Sequence, residues 1–189
     1  VNAHPHMSCG GNIAVVHNGI IENYARLRTF LMDNGYAFKS QTDTEVAVNL
    51  IQYYYKGDIL QAVAEATRHM EGSYALGIIC KDFPDMLVAA RKESPLILGV
   101  GADCNLLASD ITAVLKYTRD IYNLDDGEIA AITSGQIKIY NSDLQPISKT
   151  VSHVDWDVSA AEKCGYDHFM FKEIMEQPDA VRKTISPRI

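Results

Sequence analysis

The sequence predicts an α+β fold, with two sheets facing each other and helices outside them. Residues 23–70 carry helical patterns with capping chemistry, whereas residues 73–140 carry a series of short apolar strands separated by turn signals. Several of those strands, such as Tyr74-Ala-Leu-Gly-Ile-Ile-Cys80, are apolar on both faces, so each side of their sheet must be covered. Segregated helices and strands differ from the alternation of a doubly wound parallel sheet, and no glycine-rich phosphate loop supports a dinucleotide-binding fold.

Taken in order, residues 1–11 contain Pro5, Ser8, Gly10 and Gly11 and read as loop. The stretch Ile13-Ala-Val-Val-His-Asn-Gly19 predicts a strand buried on both faces, with His17, Asn18 and Gly19 at its open end. Residues 23–34 predict an amphipathic helix with Tyr24, Leu27, Phe30 and Leu31 on one face, capped by Asn23 and followed by Gly35. Residues 36–40 alternate and predict a short strand. Thr42-Asp-Thr-Glu45 fits a capping box, with Glu45 reaching back to the Thr42 backbone, and Val46, Ala47, Leu50, Ile51 and Tyr54 continue that helix's apolar face. Gly57-Asp58 breaks the pattern. Asp58 and Gln61 then open another helix, with Ile59, Leu60, Val63, Thr67 and Met70 as its buried stripe and Gly72 at its end.

Beyond it, strands are predicted at 74–80, 87–90, 96–100, 106–108, 121–124, 128–133 and 136–140. Asp125-Asp126-Gly127 and Ser134-Gly135 predict hairpin connections. Residues 141–165, mostly polar around Trp156, read as loop about a short strand. Residues 169–185 are helical in character, with Pro178 expected to end or kink the helix.

Composition narrows the function. The 189 residues suit one ordinary domain, or one domain with a tail, and 47% hydrophobic with 22% charged residues is a globular balance. A net charge of -7, a pI near 5.3 and the lack of any Lys/Arg-rich run argue against nucleic acid as a partner. No apolar run approaches the roughly 18 residues that cross a bilayer, so no membrane is expected. Cys9, Cys80, Cys104 and Cys164 are widely spread without a C-x-x-C pair and read as reduced thiols of a cytoplasmic protein, with Cys80 and Cys104 in or beside apolar strands. The chain starts at Val1 without a methionine and is expected to be a piece of something longer.

Two readings of the polar residues stand side by side. Asn18-Gly19 is either a turn after a strand or a pair of donors, one amide and one unobstructed N–H, able to form an oxyanion hole. Asp43 is either a helix-start acid or a carboxylate, favoured there by the helix dipole, that anchors a substrate ammonium. His4-x-His6 with Cys9 invites a metal, but no third and fourth ligand follow at zinc spacing, so loop histidines and no metal are expected.

The set His4-Pro-His6, His17-Asn-Gly-Ile-Ile-Glu-Asn23 and Thr42-Asp-Thr-Glu-Val46 resembles the glutamine amidotransferases of the N-terminal-nucleophile hydrolase class. Arg91-Lys-Glu-Ser-Pro-Leu96, Ala108-Ser-Asp110, Asp126-Gly-Glu128 and Lys172-Glu-Ile-Met-Glu-Gln-Pro178 extend the resemblance over nearly the whole chain, toward the glutamine–fructose-6-phosphate aminotransferase branch. The resemblance implies a four-layer αββα sandwich, incomplete at its N-terminus. Residues 1–168 would be a type 2 glutamine amidotransferase domain, and residues 169–189 a linker toward a sugar-phosphate isomerase domain acting on fructose 6-phosphate. L-Glutamine would be the substrate, without a cofactor. Asn18 and Gly19 would form the oxyanion hole, Asp43 would hold the glutamine α-ammonium, and His4 would support the site while His17 orients the loop.

The family's nucleophile is a cysteine at the mature N-terminus, and Val1 is not one. The segment that carries this cysteine, together with an Arg-Trp loop for the glutamine carboxylate, is expected to be missing, so the 189 residues are expected to be inactive and to self-associate through uncovered sheet edges. Other class II amidotransferases, or a regulatory or binding module without the nucleophile, are the alternatives.

Overall fold

The computed structural model describes residues 2–155 and 165–186, and the chain divides into two compact units, Val1–Val154 and Asp155–Ile189. The first unit opens with strands β1 (His6–Met7) and β2 (Ile13–Ile21) and helices α1 (Tyr24–Asp33), α2 (Asp43–Tyr54) and α3 (Ile59–His69). Strands β3 (Gly72–Cys80), β4 (Leu87–Lys92), β5 (Ile97–Val100) and β6 (Asn105–Ala108) follow, then helix α4 (Ile111–Leu115). Strands β7 (Asp120–Asn123), β8 (Ile129–Ile132), β9 (Ile137–Tyr140), β10 (Pro146–Ile147) and β11 (Ser152–His153) complete it. The second unit holds helix α5 (Phe169–Ile185).

A 7-stranded sheet in the order β1-β2-β3-β4-β8-β9-β10 faces a 4-stranded sheet in the order β11-β7-β5-β6, and the strand pairs are antiparallel. Between the sheets lie Ala75, Ala89, Ala130, Ile132 and Ile139 from one side and Leu98 from the other, with Leu107 and Tyr122 packed against them. The opposite face of the larger sheet buries Ile13, Val15, Ile21, Leu76 and Ile78 against Leu31, Leu50, Ile51 and Val63 of the three long helices. Burying each such side chain contributes about 1.5–3 kcal/mol before chain entropy is counted. Outside the smaller sheet sits α4, where a Cβ at Gly99 would lie 3.4 Å from that of Val114. The layers are helix, sheet, sheet, helix, and the α+β fold class stands as the sequence predicts.

Several local expectations are corrected. The trio His17, Asn18 and Gly19 lies inside β2, because β3 pairs with that strand from Ile13↔Cys80 to Ile21↔Gly72. Nor is β2 buried on both faces, since Val16 is 46% exposed. Residues 36–40 form no strand: the N–H groups of Lys39 and Ser40 donate to the Glu45 carboxylate at 2.8 and 2.6 Å and are lost to any ladder. For the same reason the capping box is half made. Thr42 Oγ1 accepts from the Glu45 N–H at 3.3 Å, but the Glu45 carboxylate serves the preceding loop.

Asn23 does not cap α1. Its side chain instead donates to the His69 carbonyl and accepts from the Glu71 N–H, tying the start of α1 to the end of α3. On α1 only Leu27 and Leu31 are buried, while Tyr24 and Phe30 stay over a third exposed. The Asp125-Asp126-Gly127 turn is a crossing between sheets, since β7 and β8 belong to different ones. Arg91 donates to the carbonyls of Leu124 and Ser94, and Lys149 bridges Asp125 and Glu128, so this crossing is held from two sides. Ser134-Gly135 does close a hairpin between β8 and β9.

Strand β1 and helix α4 arise where the sequence suggested loop, and residues 141–155 supply two short strands. Cys104 is exposed rather than packed. Helix α5 continues through Pro178, so the ring neither ends it nor shortens it; one backbone hydrogen bond is forgone. Trp156 and Cys164 lie outside the described residues.

Glu45 is buried, which alone would raise its pKa, but the Ser40 hydroxyl, the Lys39 and Ser40 N–H groups and the nearby His6 together outweigh burial and hold it below 4.5. A lowered carboxylate pKa stabilises the fold above the unfolded value, and that stability fades as pH falls through the folded one. Glu45→Gln is expected to cost about 1–3 kcal/mol at neutral pH in urea unfolding. The difference from the unaltered chain should shrink below pH 4.5.

Candidate functional site

Alternation along β2 sorts its side chains. Ile13, Val15, His17 and Ile21 turn toward the helices, and Ala14, Val16, Asn18 and Ile20 toward the side of the smaller sheet. The smaller sheet ends at β6, so this second face runs on beyond its cover, and Val16 and Ile20 remain exposed. A cleft of about 470 Å³ opens there, between Val16, Asn18, Ala75 and Gly77 on one wall and Leu96, Leu107, Ala108, Ser109, Asp110 and Ala113 on the other, with His4 and His17 also lining it.

Gly19 follows Asn18 with φ +127, and a Cβ on it would collide with the Ser73 carbonyl oxygen and lie 2.9 Å from Ser94 Oγ. The position accepts glycine alone, whatever else its N–H does. At the next turn of the chain Asp43, first residue of α2, accepts the Ile21 N–H on Oδ2 at 2.9 Å. Its Oδ1 has no hydrogen-bond partner among the described residues. Of the expected site residues, His4 and Asn18 line the cleft. Gly19 and Asp43 do not line it: Gly19 follows Asn18 in β2, and Asp43 is tied to Ile21 two residues further on.

Thr44 draws the histidines together. Its Oγ1 is 3.0 Å from His4 Nε2 and 3.1 Å from His17 Nδ1, and the same Nδ1 is 3.9 Å from Asp43 Oδ2. Burial lowers the His17 pKa against the opposing pull of the Asp43 carboxylate, so the ring is neutral at neutral pH. Its contribution to stability is therefore complete above 6.5 and declines as acid forces a proton onto it. His6 makes a parallel link, from Nε2 to Thr42 Oγ1 at 3.2 Å and on through Ser40 to Glu45.

None of the described cysteines lines the cleft. Cys9 donates its thiol to the Ala37 carbonyl and its N–H to Asn49, Cys80 is buried, and Cys104 is exposed. Among the described residues no group of three or more His, Cys, Asp or Glu is placed to hold a metal ion, and no helix is long and apolar enough to cross a membrane. The far wall of the cleft, Leu96, residues 107–110 and Ala113, is not assigned to a site by the sequence alone. Signals were present in the family-like stretches ending at Leu96 and spanning Ala108–Asp110, and Asp110 before Ile-Thr-Ala-Val-Leu is helix-start chemistry whose carboxylate does accept the Thr112 N–H at 2.7 Å.

The sequence family described as a glutamine amidotransferase domain matches residues 2–116. The chain belongs to that family. Across its whole length it is 56% identical to the glutamine–fructose-6-phosphate aminotransferase (isomerizing) of Clostridium perfringens and 48% identical to that of Thermotoga maritima. It spans 31% of the length of each of these curated relatives. Among solved structures it is similar to the glutamine phosphoribosylpyrophosphate amidotransferase of B. subtilis complexed with ADP and GMP. That match has TM-score 0.64 and 22% identity over 77% of this chain and 32% of that one. It also resembles a glutamine aminotransferase class-II domain protein from Silicibacter pomeroyi, at TM-score 0.54 and 18% identity over 74% and 70% of the two chains. At such identities the structural likeness concerns the fold, which is that of the class II amidotransferases among N-terminal-nucleophile hydrolases.

The Gly19 geometry yields a comparison. Gly19→Ala is expected to destabilise the amidotransferase fold by about 1–3 kcal/mol, because strained backbone and collision combine. Gly127→Ala, with φ +80 but open space around it, should cost less in the same urea titration.

Proposed function

We propose that the cleft belongs to a glutaminase site, in which Asp43 holds the α-ammonium of L-glutamine while the Asn18 side chain and the Gly19 N–H stabilise the oxyanion. The observation that carries this reading is the Asp43 carboxylate, anchored by one oxygen to Ile21 and open at the other, only two residues along β2 from Gly19. Attack on the side-chain amide places negative charge on oxygen, and each fixed donor aimed there contributes about 3–4 kcal/mol to the transition state.

The nucleophile in this reading is a cysteine, and none of the described cysteines lines the cleft; on this reading these residues alone do not hydrolyse glutamine. In the longer protein, residues 1–168 form the type 2 amidotransferase domain and residues 169–189 lead to a sugar-phosphate isomerase domain. Ammonia released here then converts fructose 6-phosphate to glucosamine 6-phosphate. The 56% identity with an aminotransferase named for that acceptor supports this branch over others of the class. The setting is the cytoplasm, and the chain works as a homo-oligomer.

Glutamine binding to the 189-residue chain, followed by calorimetry, tests the ammonium anchor. Asp43→Asn should weaken binding by about tenfold or more, since a charge-assisted hydrogen bond is lost. Asn18→Ala should change it little, because its partner forms only during reaction. Equal affinity for the unaltered and Asp43→Asn chains would move the anchor elsewhere.

A further inference from the structure

Thr44 links two imidazoles whose protons must be arranged together. Its hydroxyl is buried between His4 Nε2 at 3.0 Å and His17 Nδ1 at 3.1 Å. A hydroxyl has one proton and two lone pairs, and with no other acceptor for that proton among the described residues it donates to one of these nitrogens and accepts from the other. The two ring atoms that face Thr44 therefore hold opposite roles.

The direction is decided at His17. Its Nδ1 also faces Asp43 Oδ2 at 3.9 Å, so a proton there meets a carboxylate, whereas a lone pair would be repelled. Its Nε2 is buried without a hydrogen bond. The Ser73 carbonyl acts on the ring, yet in no hydrogen-bonding geometry with Nε2. A proton on Nε2 would be a buried donor without an acceptor, which is rarer in folded proteins than an under-satisfied acceptor. His17 thus donates from Nδ1 to Thr44, and the Thr44 proton goes to His4 Nε2. Neutral His4 then keeps its own proton on Nδ1, an atom with no hydrogen-bond partner among the described residues, in a ring that lines the cleft with Asn18. Edge contact with the His6 ring, 5.4 Å between centroids, helps to hold its plane.

We propose that Thr44 is a positioning residue that, backed by His17, fixes His4 as its Nδ1–H tautomer and so presents a hydrogen-bond donor to an acceptor oxygen of the ligand. The ligand's identity as glutamine rests on the function proposed above; the proton arrangement does not. Under that reading His4 faces a carboxylate or amide oxygen and not the ammonium, which goes to Asp43.

Ring-nitrogen shifts from long-range ¹H–¹⁵N NMR at about pH 8, where an ordinary imidazole is neutral, report the tautomers with no ligand added. His4 and His17 should both appear as Nδ1–H in the 189-residue chain. Thr44→Val, close in shape but without the hydroxyl, should release His4 into a mixture of tautomers, and Thr44→Ser should restore Nδ1–H. His4 found as Nε2–H in the unaltered chain, His17 protonated on Nε2, or a His4 signal unmoved by Thr44→Val would each overturn the proposal. Should Thr44→Val fail to fold, the unaltered chain and Thr44→Ser still decide. Failure of glutamine to bind would overturn the proposed function and leave the tautomer result intact. Where glutamine binds, Thr44→Val should weaken it by about tenfold and Thr44→Ser should recover most of the loss.

Discussion

The register between β2 and β3 is the constraint on which the rest depends. Their pairing runs without a break from Ile13↔Cys80 to Ile21↔Gly72. A slip by one residue would turn every side chain of β2 to the opposite face. Ile13, Val15 and Ile21 would leave the helix-covered core, and Asn18 would take the place of His17 against α2. Hydrophobic burial at three positions therefore decides which side of the sheet carries which polar group. The first residue of α2 then locks the end of the strand, as Asp43 accepts the Ile21 N–H.

Much of this was legible in the sequence where the signal was local. The strands from β3 to β9 show as short apolar runs between turn residues, and α2 and α3 show through Thr42 and Asp58, each of which accepts a backbone N–H as an N-cap should. What escaped depends on distant partners. Glu45 looks like the second half of a capping box until the loop at Lys39 and Ser40 folds over it. Asn23 looks like a cap until the end of α3 comes within reach. An Asp-Asp-Gly turn cannot tell whether the strands on either side share a sheet. Among the candidate residues, Asn18, Gly19 and Asp43 stood out by residue type. Thr44 did not: inside Thr42-Asp-Thr-Glu45 it reads as filler, and its two imidazole partners lie 40 and 27 residues away.

The charge balance of the site follows from burial. His17 is close enough to Asp43 to neutralise it, yet desolvation keeps the imidazole uncharged. Asp43 is left with dipolar partners, one strand N–H and the first turn of a helix. A carboxylate with one oxygen unpaired among the described residues can still accept from a cationic group. Placing a lysine or arginine nearby would have tied the group more firmly and removed that capacity.

The small residues between the two sheets have a consequence for what the cleft admits. Ala89 and Ala130 are wholly buried there, and Gly77 leaves its space to Leu107 of the opposing sheet. Facing sheets usually stand about 10 Å apart, and small side chains at the seam favour a close approach. One wall of the cleft belongs to each sheet, so these alanines act as the spacers of a gauge. Ala89 and Ala130 themselves do not line the cleft, so the width of its mouth depends in part on side chains outside it.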